Sequence, residues 1–156
     1  MEHPKAVGDR STLAIMLALH EAGYTVFTPF GENTRCDLGV EIGGRLMRVQ
    51  CKSGRLINGA VSFKVSSSYA HHRRPRASSR HYLEDVDYFA VYCRETEGVY
   101  LVPIDEIQLK CQGALRVAPP RNGQRRGIRF ASRYTIGSVR VSSRPAASAG
   151  GSAPCA

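Results

Sequence analysis

Beyond Glu106 the chain carries no acidic residue. That last third holds Lys110 and eight arginines, whereas residues 1–106 carry 13 basic and 13 acidic side chains, so the whole formal excess of +9 lies after Glu106. A one-sided charge of this kind suits a polyanion, most often nucleic acid, although a basic stretch can also be a merely solvated surface. Long hydrophobic runs are missing too. The longest, Leu13 to Leu19, is too short to cross a bilayer and no signal peptide precedes it, so no membrane partner is expected. The five cysteines at 36, 51, 93, 111 and 155 form no CxxC pair and are odd in number. That argues against a disulfide framework or a zinc site and for free thiols in a reducing, cytoplasmic setting. No internal repeat, helix-turn-helix or zinc finger is visible, so no sequence preference can be read.

What is present reads as one α/β domain over residues 1–137, since 156 residues leave room for a real core. Residues 1–8 lead into a helix beginning at Asp9, capped by Asp9 or Ser11. Leu13, Met16, Leu17 and His20 share one stripe, which Ala14, Ile15, Ala18 and Leu19 widen, and Gly23 supplies the stop. A short strand, Tyr24 to Thr28, ends at Pro29. Further strands are expected over residues 61–65, 87–93 and 98–103, more weakly near 115–118, and at 127–131. Asn58-Gly59 marks a turn, and Ile104 to Ile107 a short helical turn. Residues 66–82 are polar, basic and broken by Pro75, which suggests a surface loop with at most one helical turn. From Ser138 to Ala156 the composition of Ser, Ala, Gly and Pro predicts a disordered tail.

The chemistry concentrates in residues 35–55, RCDLGVEIGGRLMRVQCKSGR. Gly43-Gly44 is a two-residue signal for a tight β-hairpin. With those glycines as the loop, Ile42 faces Arg45, Glu41 faces Leu46, Gly39 faces Arg48 and Asp37 faces Gln50. Alternation then puts Asp37, Gln50 and Lys52 on one face. Leu38, Val40, Ile42, Met47, Val49 and Cys51 form the apolar other face. Opposed residues in such a ribbon have Cβ atoms roughly 5 Å apart, close enough to share one metal ion or one phosphate. The polar trio also satisfies a plainer requirement, since half-buried hairpins carry polar residues on their wet side.

An aspartate, a hairpin and then Gln-Cys-Lys resembles the active-site order of the PD-(D/E)XK nucleases. In them the second acid and the lysine are separated by one residue, as Gln50 and Lys52 are here. GDRSTLAIMLALHEAGYTV before this motif, TPFGENTRCDL leading into it and VDYFAVYCRETEGVYLVPI after it extend the likeness over roughly residues 8–136. They are similar to the group I intron-associated homing endonucleases of the superfamily, which share a core with archaeal Holliday-junction resolvases. The resemblance implies a restriction-endonuclease-like fold, α-β-β-β-α-β, with a mixed sheet flanked by helices. It also implies hydrolysis of phosphodiester bonds in duplex or branched DNA with Mg²⁺ or Mn²⁺. Asp37, Gln50 and Lys52 would be catalytic; Asp37, the Gln50 amide oxygen and the Cys51 backbone carbonyl would hold the metal.

The branch itself uses Gln in place of the second acid, and Cys36 stands where the motif's name has proline. Thr12 takes a helix position, four residues after Gly8, at which such enzymes commonly carry glutamate. Arg55, Lys64 and the loop residues His71, His72, Arg73, Arg74 and Arg76 are the candidate DNA contacts, with the segment at 121–126 a further one. A compact domain that cuts both strands implies a homodimer or higher homo-oligomer.

Overall fold

A computed structural model of the protein describes residues 1–31, 34–65, 86–107 and 112–138. The single long helix among them, α1, spans Pro4–Glu21. It starts a turn and a half earlier than the apolar periodicity suggests. Pro4 stands at the first helical position, where its fixed φ suits the helix and its missing N–H costs nothing, and His3 Nδ1 accepts from the Lys5 N–H at 3.3 Å. At the other end Gly23, at φ 88°, sends its N–H to the His20 carbonyl, and the Tyr24 N–H reaches the Leu19 carbonyl, each at 3.0 Å. That pair of bonds is the glycine stop expected from sequence.

The buried stripe of α1 is Ser11, Ile15 and Leu19, one residue per turn, with Met16 and Ala18 packed beside it. Leu13 and Leu17, placed in the core by the sequence pattern, are 65% and 58% exposed, and His20 is exposed. A run as uniformly apolar as Leu13 to Leu19 gives little periodicity from which to choose a face.

Among the described residues seven strands form a mixed sheet: β1 (Val26–Phe27), β2 (Leu38–Ile42), β3 (Arg45–Ile57), β4 (Ala60–Lys64), β5 (Tyr88–Cys93), β6 (Gly98–Pro103) and β7 (Gln112–Arg116). β3 is its spine. Its first half pairs antiparallel with β2, its middle pairs parallel with β5, and its last three residues pair antiparallel with β4. β1 extends the sheet beyond β2, β6 beyond β5 and β7 beyond β4. One core, between the sheet and α1, joins Ile15 and Leu19 to Leu38, Val40, Val49, Ala90 and Leu101. The other lies on the opposite face around Phe63, Phe89, Val91, Val102 and Leu115.

Gly54 sits where β3 exchanges β5 for β4 as its partner. A Cβ there would come within 2.6 Å of Val61 Cγ1 and 2.9 Å of Val91 Cγ1. Gly54→Ala is therefore expected to cost about 1–3 kcal/mol through overpacking, read as a lowered denaturant midpoint. A loss under roughly 0.5 kcal/mol, the scale of an ordinary surface change, would show that the valines can move aside.

Two details of the sequence reading change. Residues 127–131 form no strand. Gly127 turns the chain at φ 75°, Phe130 makes one isolated bridge to Arg116, and a 3₁₀ turn over Ala131–Arg133 follows at once. The weak strand near residue 115 begins earlier, at Gln112. The expected loop over 66–82 and the tail beyond Ser138 lie outside the described residues.

Candidate active site

The Gly43-Gly44 loop closes the β2–β3 hairpin with both glycines at positive φ, 59° and 74°, the combination that matches the twist of paired strands. The register is the one that loop dictates: Ile42 opposite Arg45, Glu41 opposite Leu46, Gly39 opposite Arg48 and Leu38 opposite Val49. Asp37 continues it one step past the end of β2, its N–H bonded to the Val49 carbonyl at 3.0 Å.

There the side chains converge. Asp37 Oδ2 accepts from Gln50 Nε2 at 2.6 Å and from the Cys51 backbone N–H at 2.8 Å. Lys52 follows on the same face, its Nζ 5.8 Å from the centre of the Phe89 ring, a cation–π contact. β5 supplies that ring because its parallel register sets Phe89 opposite Gln50 and Val91 opposite Lys52. A carboxylate, an amide and an ammonium group thus rest on an apolar floor.

Burial raises the pKa of Asp37, against the smaller lowering effects of the Cys51 N–H, the Lys52 charge and the Gln50 amide. Burial lowers that of Lys52, partly offset by Asp37 and Cys51. The two charges support each other in a setting that favours neither. Asp37 as a residue is nonetheless exposed, so water and cations can reach it. Cys51 points to the α1 side. Its thiol is pushed up to about 12, chiefly by burial and next by the Asp37 charge, with the Thr12 hydroxyl as a hydrogen-bond partner acting in the lowering sense.

A pH test follows from Asp37. Since its folded pKa is raised, its ionised form is a net cost to folding. That cost is absent below the ordinary carboxylate value near pH 4 and develops as pH rises through the raised folded value. Asp37→Asn keeps an oxygen for the Gln50 and Cys51 donors while removing the charge. In EDTA at pH 7 its Tm is expected to match or exceed that of the native protein, with the difference vanishing in acid. A clear fall in Tm at pH 7 would mean the carboxylate is a net structural support.

Both hydrogen bonds accepted by Asp37 fall on Oδ2. With its nitrogen committed to Asp37, the Gln50 amide retains its oxygen as a donor to a cation. An Asp carboxylate, an amide oxygen and a backbone carbonyl are hard oxygen ligands, suited to Mg²⁺ or Mn²⁺ with water completing the shell. No cluster of three His, Cys, Asp or Glu side chains occurs among the described residues. The donor set therefore fits a cation held through one carboxylate and poorly fits zinc.

Thr12 stands on α1, half-buried and next to Cys51 on the face of β3 opposite Gln50 and Lys52, its hydroxyl bonded to the Gly8 carbonyl at 3.1 Å. Alternation puts Arg55 on the opposite face of β3 from Gln50 and Lys52, with the Glu95 carboxylate nearby. Lys64 is exposed on β4, opposite Gln112. Neither joins Asp37, Gln50 and Lys52. His71, His72, Arg73, Arg74 and Arg76 lie outside the described residues.

Two contacts escape a reading of the sequence. Asp87, just ahead of β5, accepts from the Arg48 backbone N–H at 2.8 Å and from its Nε at 3.3 Å, while the Asp87 N–H returns to the Arg48 carbonyl at 2.8 Å. This clasp fixes the β3–β5 register that brings Phe89 beneath Lys52. Ser11, read from sequence as a cap, is instead buried and shares a 2.6 Å hydrogen bond with Ser53, docking α1 onto β3 next to Lys52. Both are long-range partnerships with no local signal.

Comparison with known proteins agrees with this fold. The solved structure of a bacterial homing endonuclease, I-Ssp6803I, is similar with a TM-score of 0.62 and 25% sequence identity, over 88% of this chain and 89% of that one. No curated protein sequence matches. No described helix is long and apolar enough to cross a membrane. The family model for PD-(D/E)XK endonucleases matches residues 2–137, the span that contains the helix, the whole described sheet and the Asp37–Gln50–Lys52 face, and the chain belongs to that family.

Proposed function

We propose that the protein is a metal-dependent endonuclease that hydrolyses phosphodiester bonds in DNA, with homing-type cleavage of a duplex as its task rather than resolution of branched junctions. The observation that carries this is the hydrogen-bonded Asp37–Gln50 pair with Lys52 beside it on an accessible face. The similarity to a homing endonuclease over nearly nine-tenths of both chains supports the homing-type reading.

Asp37, the Gln50 oxygen and the Cys51 carbonyl would hold Mg²⁺ or Mn²⁺. When bound, such a cation supplies positive charge against the phosphate and makes water a stronger nucleophile. The chain's own residues do the positioning. Gln50 and the Cys51 N–H fix the rotamer of Asp37, so its carboxylate is set before substrate arrives. Lys52 is confined by Phe89 and drawn towards Asp37, so its ammonium meets the charge that develops on the phosphoryl oxygens. Since burial lowers its pKa, Lys52 gives up a proton more readily than an exposed lysine. Cutting both strands calls for two such sites, and a homodimer or higher assembly provides them.

Thr12 favours a second reading, a DNA-binding protein on the same scaffold that has lost cleavage, because it offers no carboxylate where the helix borders the site. Incubating the protein with supercoiled plasmid and Mg²⁺ or Mn²⁺, beside a gel shift in EDTA, separates the two. Nicked or linear products establish the endonuclease, a shift without cutting establishes the second reading, and neither effect rejects both.

A further inference from the structure

A cleft of about 990 Å³ opens at the far end of the sheet, between β4–β7 and the segment 118–129. We propose that it is a second DNA site, one that grips the phosphodiester backbone several base pairs from the bond to be cut. This rests on the endonuclease reading and adds to it a surface remote from the catalytic side chains.

The lining chemistry points to an anionic backbone. Arg116, Arg121 and Arg129 line the cleft together with the amides of Asn58, Asn122 and Gln124. Arg116 donates from Nε to the Ala118 carbonyl at 2.8 Å and from Nη1 to the Asn58 carbonyl at 2.9 Å, and Arg129 donates from Nε to the Glu106 carbonyl at 2.6 Å. Those acceptors are neutral, so they aim the guanidinium groups without cancelling their charge. The nearby Glu106 carboxylate, which accepts from the Tyr134 hydroxyl, is not among the lining residues. Arg125 and Arg126 stand exposed on the same segment, and no acidic residue follows Glu106 anywhere in the chain. Amides and guanidinium groups without carboxylates are the usual donors to phosphate oxygens.

The cleft is also preformed. Its segment is tied at both ends, by the Arg116 N–H to the Arg129 carbonyl at 2.7 Å and by the Val117 and Ala118 N–H groups to the Gly59 carbonyl at 2.9 and 3.0 Å. A site that is already ordered loses little entropy on binding. Its location suits a duplex that also lies over the catalytic face. Phe63, Ile107 and Leu115 line it, and they belong to the same apolar cluster as Phe89, the ring beneath Lys52. Asn58 follows Gln50 by eight residues along and just past β3, up to roughly 25 Å at the rise of a strand. That is the length of about seven base pairs.

The test is the salt dependence of binding to a mixed-sequence duplex in EDTA, using the full chain. Arg121→Ala/Arg125→Ala/Arg126→Ala should flatten the slope of log K against log salt by about one for each phosphate that is no longer neutralised. The weakening should be similar for different duplex sequences. Arg10→Ala, which removes a charge paired with Glu2 on α1, should leave the slope as it was. If the triple variant has a lowered Tm, the single change Arg121→Glu decides by the same readout, with a loss of affinity larger than that of Arg10→Glu. Native binding with an unchanged slope in the cleft variants would overturn the proposal and leave the endonuclease reading intact. A native protein that neither binds nor cuts DNA would overturn both. Weakening confined to one duplex sequence would replace backbone contact by base reading and overturn the proposal as stated.

Discussion

Asp37→Ala is expected to reduce cleavage by about a thousandfold or more while changing DNA affinity by only a few-fold. The size follows from what the side chain does. It is the one carboxylate of the hydrogen-bonded pair, and loss of the proposed anchoring ligand would forfeit the several kcal/mol of charge stabilisation that a bound cation contributes. About 4 kcal/mol corresponds to that factor in rate. Truncation also leaves Gln50 Nε2 and the Cys51 N–H without their acceptor, so the amide is free to swing out of place. Binding should survive, because the arginines proposed to contact phosphate stand elsewhere and removing an anion from the proposed DNA-facing surface reduces repulsion. Plasmid nicking and a gel shift on the same preparation give the two numbers. Cleavage within tenfold of the native rate would mean that the metal is anchored elsewhere or that this face is not the active site.

The hairpin could be read from sequence because its information is local. Two glycines fix the turn, the turn fixes the register, and alternation then places Asp37, Gln50 and Lys52 on one face. The strands at 88–93 and 98–103 were legible for the same reason, as apolar runs bounded by the turn at Arg94–Glu97. What stayed hidden depends on partners far away in the chain. The parallel pairing of β3 with β5, the Arg48–Asp87 clasp and the Ser11–Ser53 bond join residues about forty positions apart, and no spacing rule links them. The helix face was ambiguous because Leu13 to Leu19 is apolar throughout, so only the packing chooses Ile15 and Leu19 over Leu13 and Leu17. Residues 127–131 alternate as a strand would, yet a glycine turn and a 3₁₀ turn on either side leave only the bridge at Phe130. Tertiary context overrode local propensity there.

Thr12→Glu should bring a gain in metal affinity and in cutting. The Thr12 hydroxyl lies near the Cys51 thiol on the α1 side of β3, and the Cys51 N–H is bonded to Asp37, so Cys51 alone separates residue 12 from the carboxylate. Glutamate is longer than threonine and can carry its own carboxylate past Cys51 towards Asp37. Without a cation, two acids near each other in a partly buried site repel, and burial disfavours both charges. The variant should therefore melt below the native protein in EDTA. With Mg²⁺ or Mn²⁺ that repulsion becomes shared ligation, and Tm should recover more steeply with metal than in the native chain. The net advantage in metal binding is on the order of 1–3 kcal/mol, a charge-assisted contact offset by burial of a second charge. Up to about a hundredfold tighter binding corresponds to the upper half of that range. Cleavage should rise with it, or begin where the native protein shows none, which would assign the missing glutamate as the cause of a weakened enzyme. A Thr12→Glu protein that folds as before, with metal-dependent Tm and plasmid cutting unchanged, would show that residue 12 does not reach the site.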